Sequence, residues 1–309
     1  MADAAPRAAP PGADAVAVVV WNVHVGGGDV ARVIDALARG DLTNGTPSTS
    51  FVLLLQEVYR SGSGVPVPAP LRSRGPKAIV EHPPGTTRRS VIDVARERGL
   101  AIVYVPSMRN TREHGVANGA EDRGNAIVST WPITEPAAIE LPFERQRRVA
   151  VAATIVGRTT GGVPWRLRVA TAHLDTSLAW KRGGPLAARR RQAAALADAI
   201  GCSPLPTVVG GDLNTWFGDR EPAVGALRRA FPQTPVAASG ATWRGPLGSR
   251  ATLDHLFARN LPAPVAIRRL AGRFGSDHFP LLALVGVAPT EISGANDRTP
   301  RGRRCTTGR

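Results

Sequence analysis

Residues 207–215 read TVVGGDLNT, a short apolar run that breaks into two glycines and then an Asp and an Asn. The run is too short for a helix, and its β-branched residues favour an extended strand. The glycines and the Asp suit a sharp turn at its end. A buried strand therefore delivers Asp212 and Asn214 to one edge of a sheet. The same arrangement recurs along the chain. Ala15–Val20, Phe51–Leu55, Ala101–Val105, Ala126–Ser129, Val149–Val156, Leu167–Ala172, Thr252–Phe257 and Leu281–Val287 are all short apolar runs read as strands. Polar residues punctuate most of them. Trp21-Asn22 closes the first, Gln56-Glu57 the second, and Arg123-Gly124-Asn125 opens the fourth. His173 follows Leu167–Ala172, Leu253-Asp254-His255 sits at the next-to-last strand, and Ser276-Asp277-His278 precedes the last.

Helical periodicity lies between some of these runs. Asp29–Arg39 repeats apolar residues at Val30, Val33, Ile34 and Leu37, with Asp29 as N-cap and Gly40 as stop. Arg89–Arg98, Leu186–Ile200 and Glu221–Arg229 follow the same logic. Strands outnumber helices, and many strands are continuously apolar. Two packed sheets covered on their outer faces by helices meet both facts better than an alternating βαβ sheet. Strand ends on one edge of such a sandwich can converge on a single pocket.

The chain has 309 residues, 43% of them hydrophobic, enough for one large core. We assign one domain to residues 15–288. Residues 1–14 are Ala/Pro-rich without periodicity, and residues 289–309 are polar with five Arg; both are expected to be disordered tails. No stretch approaches the roughly 20 apolar residues of a membrane span. Two cysteines, Cys202 and Cys305, rule out a thiolate metal cluster, and no structural disulfide is expected. A reducing cytoplasm fits that usage. The net charge is +15, carried almost wholly by Arg. Part of that skew goes with the Ala-, Gly- and Pro-rich composition. The remaining basic surface favours phosphate-rich partners.

The residue types at the strand ends suit metal-assisted phosphate chemistry. Carboxylate and amide oxygens are the ligands that Mg²⁺ or Mn²⁺ takes. A carboxylate can accept the proton of an attacking water. A His can stabilise developing oxyanion charge or protonate a leaving oxygen, and an Asp beside it favours its charged form. Singly, each motif has an ordinary structural use as a turn, a cap or a satisfied core histidine. Their ordered co-occurrence is what points to chemistry.

That order, WN (21–22), QE (56–57), RGNAIVS (123–129), ATAHLDTS (170–177), GGDLNT (210–215), LDHLF (253–257) and SDHFPL (276–281), resembles the endonuclease/exonuclease/phosphatase superfamily. The resemblance spans essentially the whole domain. It implies an α+β fold, a four-layer α/β/β/α sandwich of two mixed sheets like that of deoxyribonuclease I. It implies metal contacts from Asn22, Glu57 and Asp277, with Mg²⁺ the expected cofactor and Mn²⁺ the alternative. It implies phosphate contacts from Asn125, Asn214 and His278. His173, Asp212, Asn214, Asp254 and His278 would form the catalytic set, with Asp212 orienting or deprotonating the attacking water and Asp254 pairing with His278. Arg189-x-x-Gln192 resembles the pattern of members that act on tyrosyl-DNA and related phosphodiesters.

The substrate implied first is a nucleic acid, DNA or RNA, cleaved by a monomeric hydrolase. A phospholipid or small phosphate ester is the second possibility, and a catalytically inactive nucleic-acid-binding homologue the third. Substrate selection is assigned to the loops Arg60–Arg89 and Arg109–Asp122, with Arg72, Arg74, Lys77, Arg88 and Arg89 as backbone contacts. Trp216, Phe217 and Trp243 are candidate stacking surfaces for a base.

Overall fold

The computed structural model of the chain describes residues 2–4, 6, 10–61, 65, 88–110, 121–176, 183–235 and 239–289. Its strands are β1 (Ala2–Ala4), β2 (Ala15–Asn22), β3 (Phe51–Ser61), β4 (Ala101–Asn110), β5 (Glu121–Ser129), β6 (Ile133–Glu140), β7 (Val149–Arg158), β8 (Pro164–His173), β9 (Thr207–Asp212), β10 (Trp243–Arg244), β11 (Arg250–Ala251), β12 (Asp254–Arg259), β13 (Ile267–Arg269) and β14 (Leu281–Gly286). The helices are α1 (Val30–Arg39), α2 (Val91–Glu97), α3 (Gly184–Ile200) and α4 (Pro222–Ala230).

A seven-stranded sheet runs in the order β1-β4-β5-β3-β2-β14-β13, and a five-stranded sheet runs β12-β9-β8-β7-β6. Each is mixed: β2 pairs parallel with β3, and β8 parallel with β9, while the other pairings are antiparallel. Alternation along β2 shows how the layers stack. Val16, Val18 and Val20 enter an apolar cluster shared with Val151, Val169 and Val208 of the five-stranded sheet. Ala17, Val19 and Trp21 face the other way, into a cluster with Val33 and Leu37 of α1 and Val94 of α2. A third cluster joins Ala170 and Val209 to Leu196 of α3 and Leu227 of α4. Helices, sheet, sheet, helices is therefore the order of the layers. Both faces of each sheet are covered, which is why the strands read as unbroken apolar runs.

Helix boundaries follow their caps. The Asp29 side chain accepts from the Arg32 N–H at 3.0 Å, and Gly40 ends α1 in the left-handed region at φ 85°. Arg189 and Gln192, which carry the tyrosyl-DNA-like pattern, secure α3. Buried Arg189 makes a two-pronged ion pair with buried Glu221, and Gln192 accepts from the Asp175 N–H at 2.8 Å. Neither is bonded to a site residue among the described residues.

Several expectations need correction. The N-terminal stretch is not disordered throughout: β1 adds an antiparallel edge strand to β4, with Ala2 opposite Tyr104. Further along, the Ala13 N–H donates to Arg158 O at 2.9 Å and Asp14 accepts from the Thr160 N–H at 3.1 Å. Backbone pairing at a sheet edge needs no side-chain pattern, so composition does not reveal it. Cys202 is disulfide-bonded, contrary to the expected absence of a disulfide. The edge strand β6, ITEPAAIE, is also missing from the sequence reading; its Pro136 and its exposed outer positions suit only a sheet edge. From residue 290 onward the expected basic tail lies outside the described residues, as do Arg72, Arg74 and Lys77 and most of the two selectivity loops. Arg88 and Arg89 are engaged by Glu121 and Glu97. No described helix is long and apolar enough to cross a membrane.

The two glycines before Asp212 have a packing cause. A Cβ on Gly210 would lie 2.3 Å from Cγ2 of Val20, and one on Gly211 would lie 1.8 Å from the Ala172 carbonyl oxygen. At Gly210 the two sheets touch directly through a buried valine. Gly210→Ala should therefore destabilise the protein by roughly 1–3 kcal/mol through overpacking. Urea unfolding checks this; a loss below about 0.5 kcal/mol, the size of a neutral surface change, would show that the sheets separate freely there.

Candidate active site

Four strand ends, the interiors of β3 and β5 and two loops bring the sequence-predicted residues to the same edge of the sandwich. Asn22 ends β2, and its Nδ2 crosses to the second sheet to donate to Asp212 Oδ2 at 2.9 Å. Its Oδ1 accepts from the His24 N–H at 2.9 Å. Asp212 ends β9 and also accepts the Asn214 N–H at 2.8 Å. His173 ends β8, with Nε2 3.5 Å from Asp212 Oδ2 and Nδ1 3.7 Å from Glu57 Oε1. His278 sits between two carboxylates. Its Nδ1 donates to Asp254 Oδ2 at 2.8 Å, and its Nε2 is 3.7 Å from Asp212 Oδ2. All of these side chains except Glu57 are almost fully buried.

Glu57 reaches the cleft by a break in β3. Its φ is +53°, and the pairing of β3 with β5 slips between Leu55 and Val58. Such a bulge turns a side chain out of the regular alternation, and a left-handed non-glycine residue marks stored strain. Glu57 Oε2 is buried without a hydrogen-bond partner and lies 3.9 Å from Arg123 Nη1. Asn214 is also left-handed, at φ +52°, and its Nδ2 donates to Leu174 O at 3.0 Å. Asn125 Nδ2 donates to Val149 O at 2.7 Å. Each amide therefore uses one N–H to join strands and keeps a second.

Asp277 is the most open member. Its Oδ2 accepts from Trp243 Nε1 at 2.8 Å, and its Oδ1 lies 3.5 Å from His24 Nδ1 and 3.9 Å from His278 Nε2. It is placed beside His278, and no contact joins it to Glu57 among the described residues.

The field in the cleft separates the titrations of these groups. Burial raises the Asp212 carboxyl to about 7, against the opposing pull of His278. Burial alone would lower His278, but Asp254 and then Asp212 outweigh it and hold the imidazole up at about 10. His173 is driven well below the ordinary histidine value by burial, with Arg148 and His278 adding to the effect. Two histidines a few ångströms from the same carboxylate are thus in opposite states at neutral pH, His278 charged and His173 neutral.

Neighbours that carry no obvious sequence signal complete the site. Trp21 Nε1 donates to His278 O at 3.2 Å, and Ser276 Oγ donates to Asn22 O at 2.7 Å while accepting the His278 N–H at 3.0 Å. Gln56 Nε2 reaches across the sandwich to Thr171 Oγ1 at 2.8 Å. The first partner in WN and QE and the Ser of SDH are thus fasteners, while the second partner faces the cleft. Buried Arg123 and Arg148 are unforeseen, since nothing in an Arg-rich chain marks two of them as buried.

The site is able to hold a cation. The ligand atoms of Asp212, Asp254 and His278 lie within 4.8 Å of one another, but the short Asp254–His278 bond already engages two of them. The unpartnered Glu57 Oε2 is the better test: a buried carboxylate oxygen lacking a donor fits a hard divalent ion.

Solved structures share this fold. An endonuclease/exonuclease/phosphatase from Beutenbergia cavernae aligns with a TM-score of 0.58 at 18% identity, over 89% of this chain and 72% of that one. The human Nocturnin catalytic domain with bound sulfate anion aligns at 0.53 and 17%, over 89% and 96%. An endonuclease/exonuclease/phosphatase family protein from Leptotrichia buccalis aligns at 0.54 and 14%, over 88% and 99%. At these identities the likeness is one of fold. No curated protein matches the sequence. Residues 19–278 match the Endonuclease/Exonuclease/phosphatase family, a span that includes every strand end described above, and the chain belongs to that family.

Proposed function

We propose that this protein is a divalent-metal-dependent phosphoesterase that hydrolyses phosphodiester bonds in nucleic acid. One observation carries the reading: Asp212 is held by Asn22 and Asn214 between a neutral His173 and a charged His278 that Asp254 supports. That is a base, an oriented cation and a fixed geometry around one point.

In this reading Asp212 orients the attacking water and takes its proton. Burial raises its basicity toward the pH at which it must work. His278 presents a charged Nε2–H to the phosphoryl oxygens, and Asp254 fixes its tautomer from behind. His173 donates or accepts near the leaving oxygen. Asn125 and Asn214 offer their remaining N–H groups to non-bridging oxygens. Glu57, with Asn22 and Asp277, would hold Mg²⁺ or Mn²⁺. When bound, that cation would polarise the phosphoryl group and offset charge that builds in the transition state.

A nucleic-acid substrate is supported by the +15 charge and by the aromatic rim beside Asp277. Trp216 stands edge-on to Trp243 at 5.2 Å, and Phe217 next to it is 68% exposed, open to stacking by a base. A phospholipid diester is the second reading. It is favoured by the fully exposed Leu247, held at φ +55° on the loop that follows Trp243.

Three outcomes test the proposal. Asp212→Asn should lower kcat on a labelled oligonucleotide by about 10²–10⁴-fold, the worth of a general base. Loss of less than about tenfold would remove Asp212 from that role. Glu57→Gln should raise the Mg²⁺ concentration for half-maximal rate by about 10–100-fold; wild-type activity at limiting Mg²⁺ would overturn the ligand assignment.

The pH dependence should be bell-shaped. The rate climbs as the Asp212 proton leaves, on a limb at or below about 7, because a bound cation would favour the carboxylate. It falls as His278 loses its proton toward about 10. His278 also contributes folding stability that is complete below its unfolded value and is lost as pH rises through about 10. A kcat/KM that is flat from neutral pH to pH 10 and beyond would exclude charged His278 as the phosphate partner.

A further inference from the structure

Arg148 immediately precedes β7, and its side chain is only 2% exposed. The carbonyl of its neighbour Val149 accepts the Asn125 side chain, which binds this end of β7 to the other sheet. Val151 pairs with Thr171 on β8, so two residues back along the same register Val149 comes level with His173. Arg148 therefore enters at the edge of the sheet that carries His173 and Asp212.

Its hydrogen bonding is incomplete. Nη2 donates to the neutral amide oxygen of Gln146 at 3.0 Å, and Nε is buried with no partner. Among the described residues it forms no ion pair, whereas its neighbour Arg147 is fully engaged by Glu140. A guanidinium cannot escape burial by shedding its proton at physiological pH. Burying one without a contacting carboxylate is among the costlier arrangements in a fold. Burial depresses its pKa, and the carboxylate of Glu57 and then that of Asp175 oppose this at longer range. A dry cation is thus kept beside Glu57, His173 and Asp212, and among the described residues no anion touches it.

We propose that Arg148 is an anion-binding residue of the site, and that its guanidinium receives non-bridging oxygens of the phosphoryl group. The inference rests on the phosphoesterase reading for the identity of the anion. The planar fork of Arg matches two phosphate oxygens at once, which Lys cannot do. Arg148 binds substrate in the ground state and keeps the added charge as the transition state forms.

Inorganic phosphate is the probe, titrated calorimetrically into the full chain with and without Mg²⁺, for wild type, Arg148→Gln and Arg148→Lys. Arg148→Gln should weaken phosphate binding by about 10–100-fold, the worth of charge-assisted hydrogen bonds. It should also raise KM and lower kcat together. Arg148→Lys, which keeps the charge and loses the fork, should fall between. Arg148→Lys decides the matter if Arg148→Gln does not fold. Unchanged phosphate affinity in the variants overturns the inference, as does a wild type that binds no phosphate. So does a change confined to tighter Mg²⁺ binding, which would make Arg148 a counter-charge for Glu57. A wild type that binds phosphate through Arg148 yet hydrolyses no phosphoester would instead sink the functional reading alone.

Discussion

The Asn22 amide belongs to the seven-stranded sheet, and the Asp212 carboxylate it binds belongs to the five-stranded one. The geometry of the cleft depends on those two strand ends meeting at hydrogen-bond range. The apolar packing between the sheets brings them near, and the absence of a side chain at Gly210 lets Val20 press against the second sheet immediately behind the bond. Gln56 and Thr171 make a second bridge a short way along the same edge. Two sheets joined at one rim by polar bridges are stiff where their side chains must be stiff. The electrostatic asymmetry of the site then follows from burial: a carboxylate fixed in a dry cleft becomes a better base, and the histidine supported by Asp254 stays charged beside it.

The fold was largely legible in the sequence because its strands are covered on both sides. Apolar runs of three to eight residues with glycine or charge at their ends admit few other readings, and α1 and α4 were placed within a residue or so. What escaped was determined by backbone alone or by an edge. β1 pairs through an Ala-rich segment without side-chain pattern, and β6 carries a proline inside a half-exposed run. Neither leaves a periodic trace.

The site was legible to a different depth. Asn22, His173, Asp212, Asp254 and His278 meet as their positions at strand ends imply. The partners that hold them do not announce themselves: Trp21, Gln56 and Ser276 lie next to the cleft residues and look like padding until their hydrogen bonds are seen. Arg189 and Gln192 show what else a family-like pattern can encode. The Arg189-x-x-Gln192 pattern, similar to that of members acting on tyrosyl-DNA, anchors its helix to Glu221 and to the Asp175 turn. A buried arginine and a solvent-facing one are spelled alike, so Arg148 could not be singled out from 36 others by sequence.

The bulge at Glu57 has a bearing on how this strand tolerates change in length. Leu53 and Leu55 face the helical layer, and strict alternation would send residue 57 there as well. One extra residue reverses the parity, so Val58 takes the helical side and Glu57 is released toward the cleft. The two halves of β3 therefore obey opposite odd–even rules, joined at a single residue. Deleting Glu57 would heal the ladder between Leu55 and Val58 and keep the register beyond it, while erasing the carboxylate. An insertion elsewhere in the strand would do the reverse. The acidic side of this cleft is thus encoded in the length of a strand as much as in the identity of the residue, and it is as sensitive to frame within the sheet as a codon is to frame within a gene.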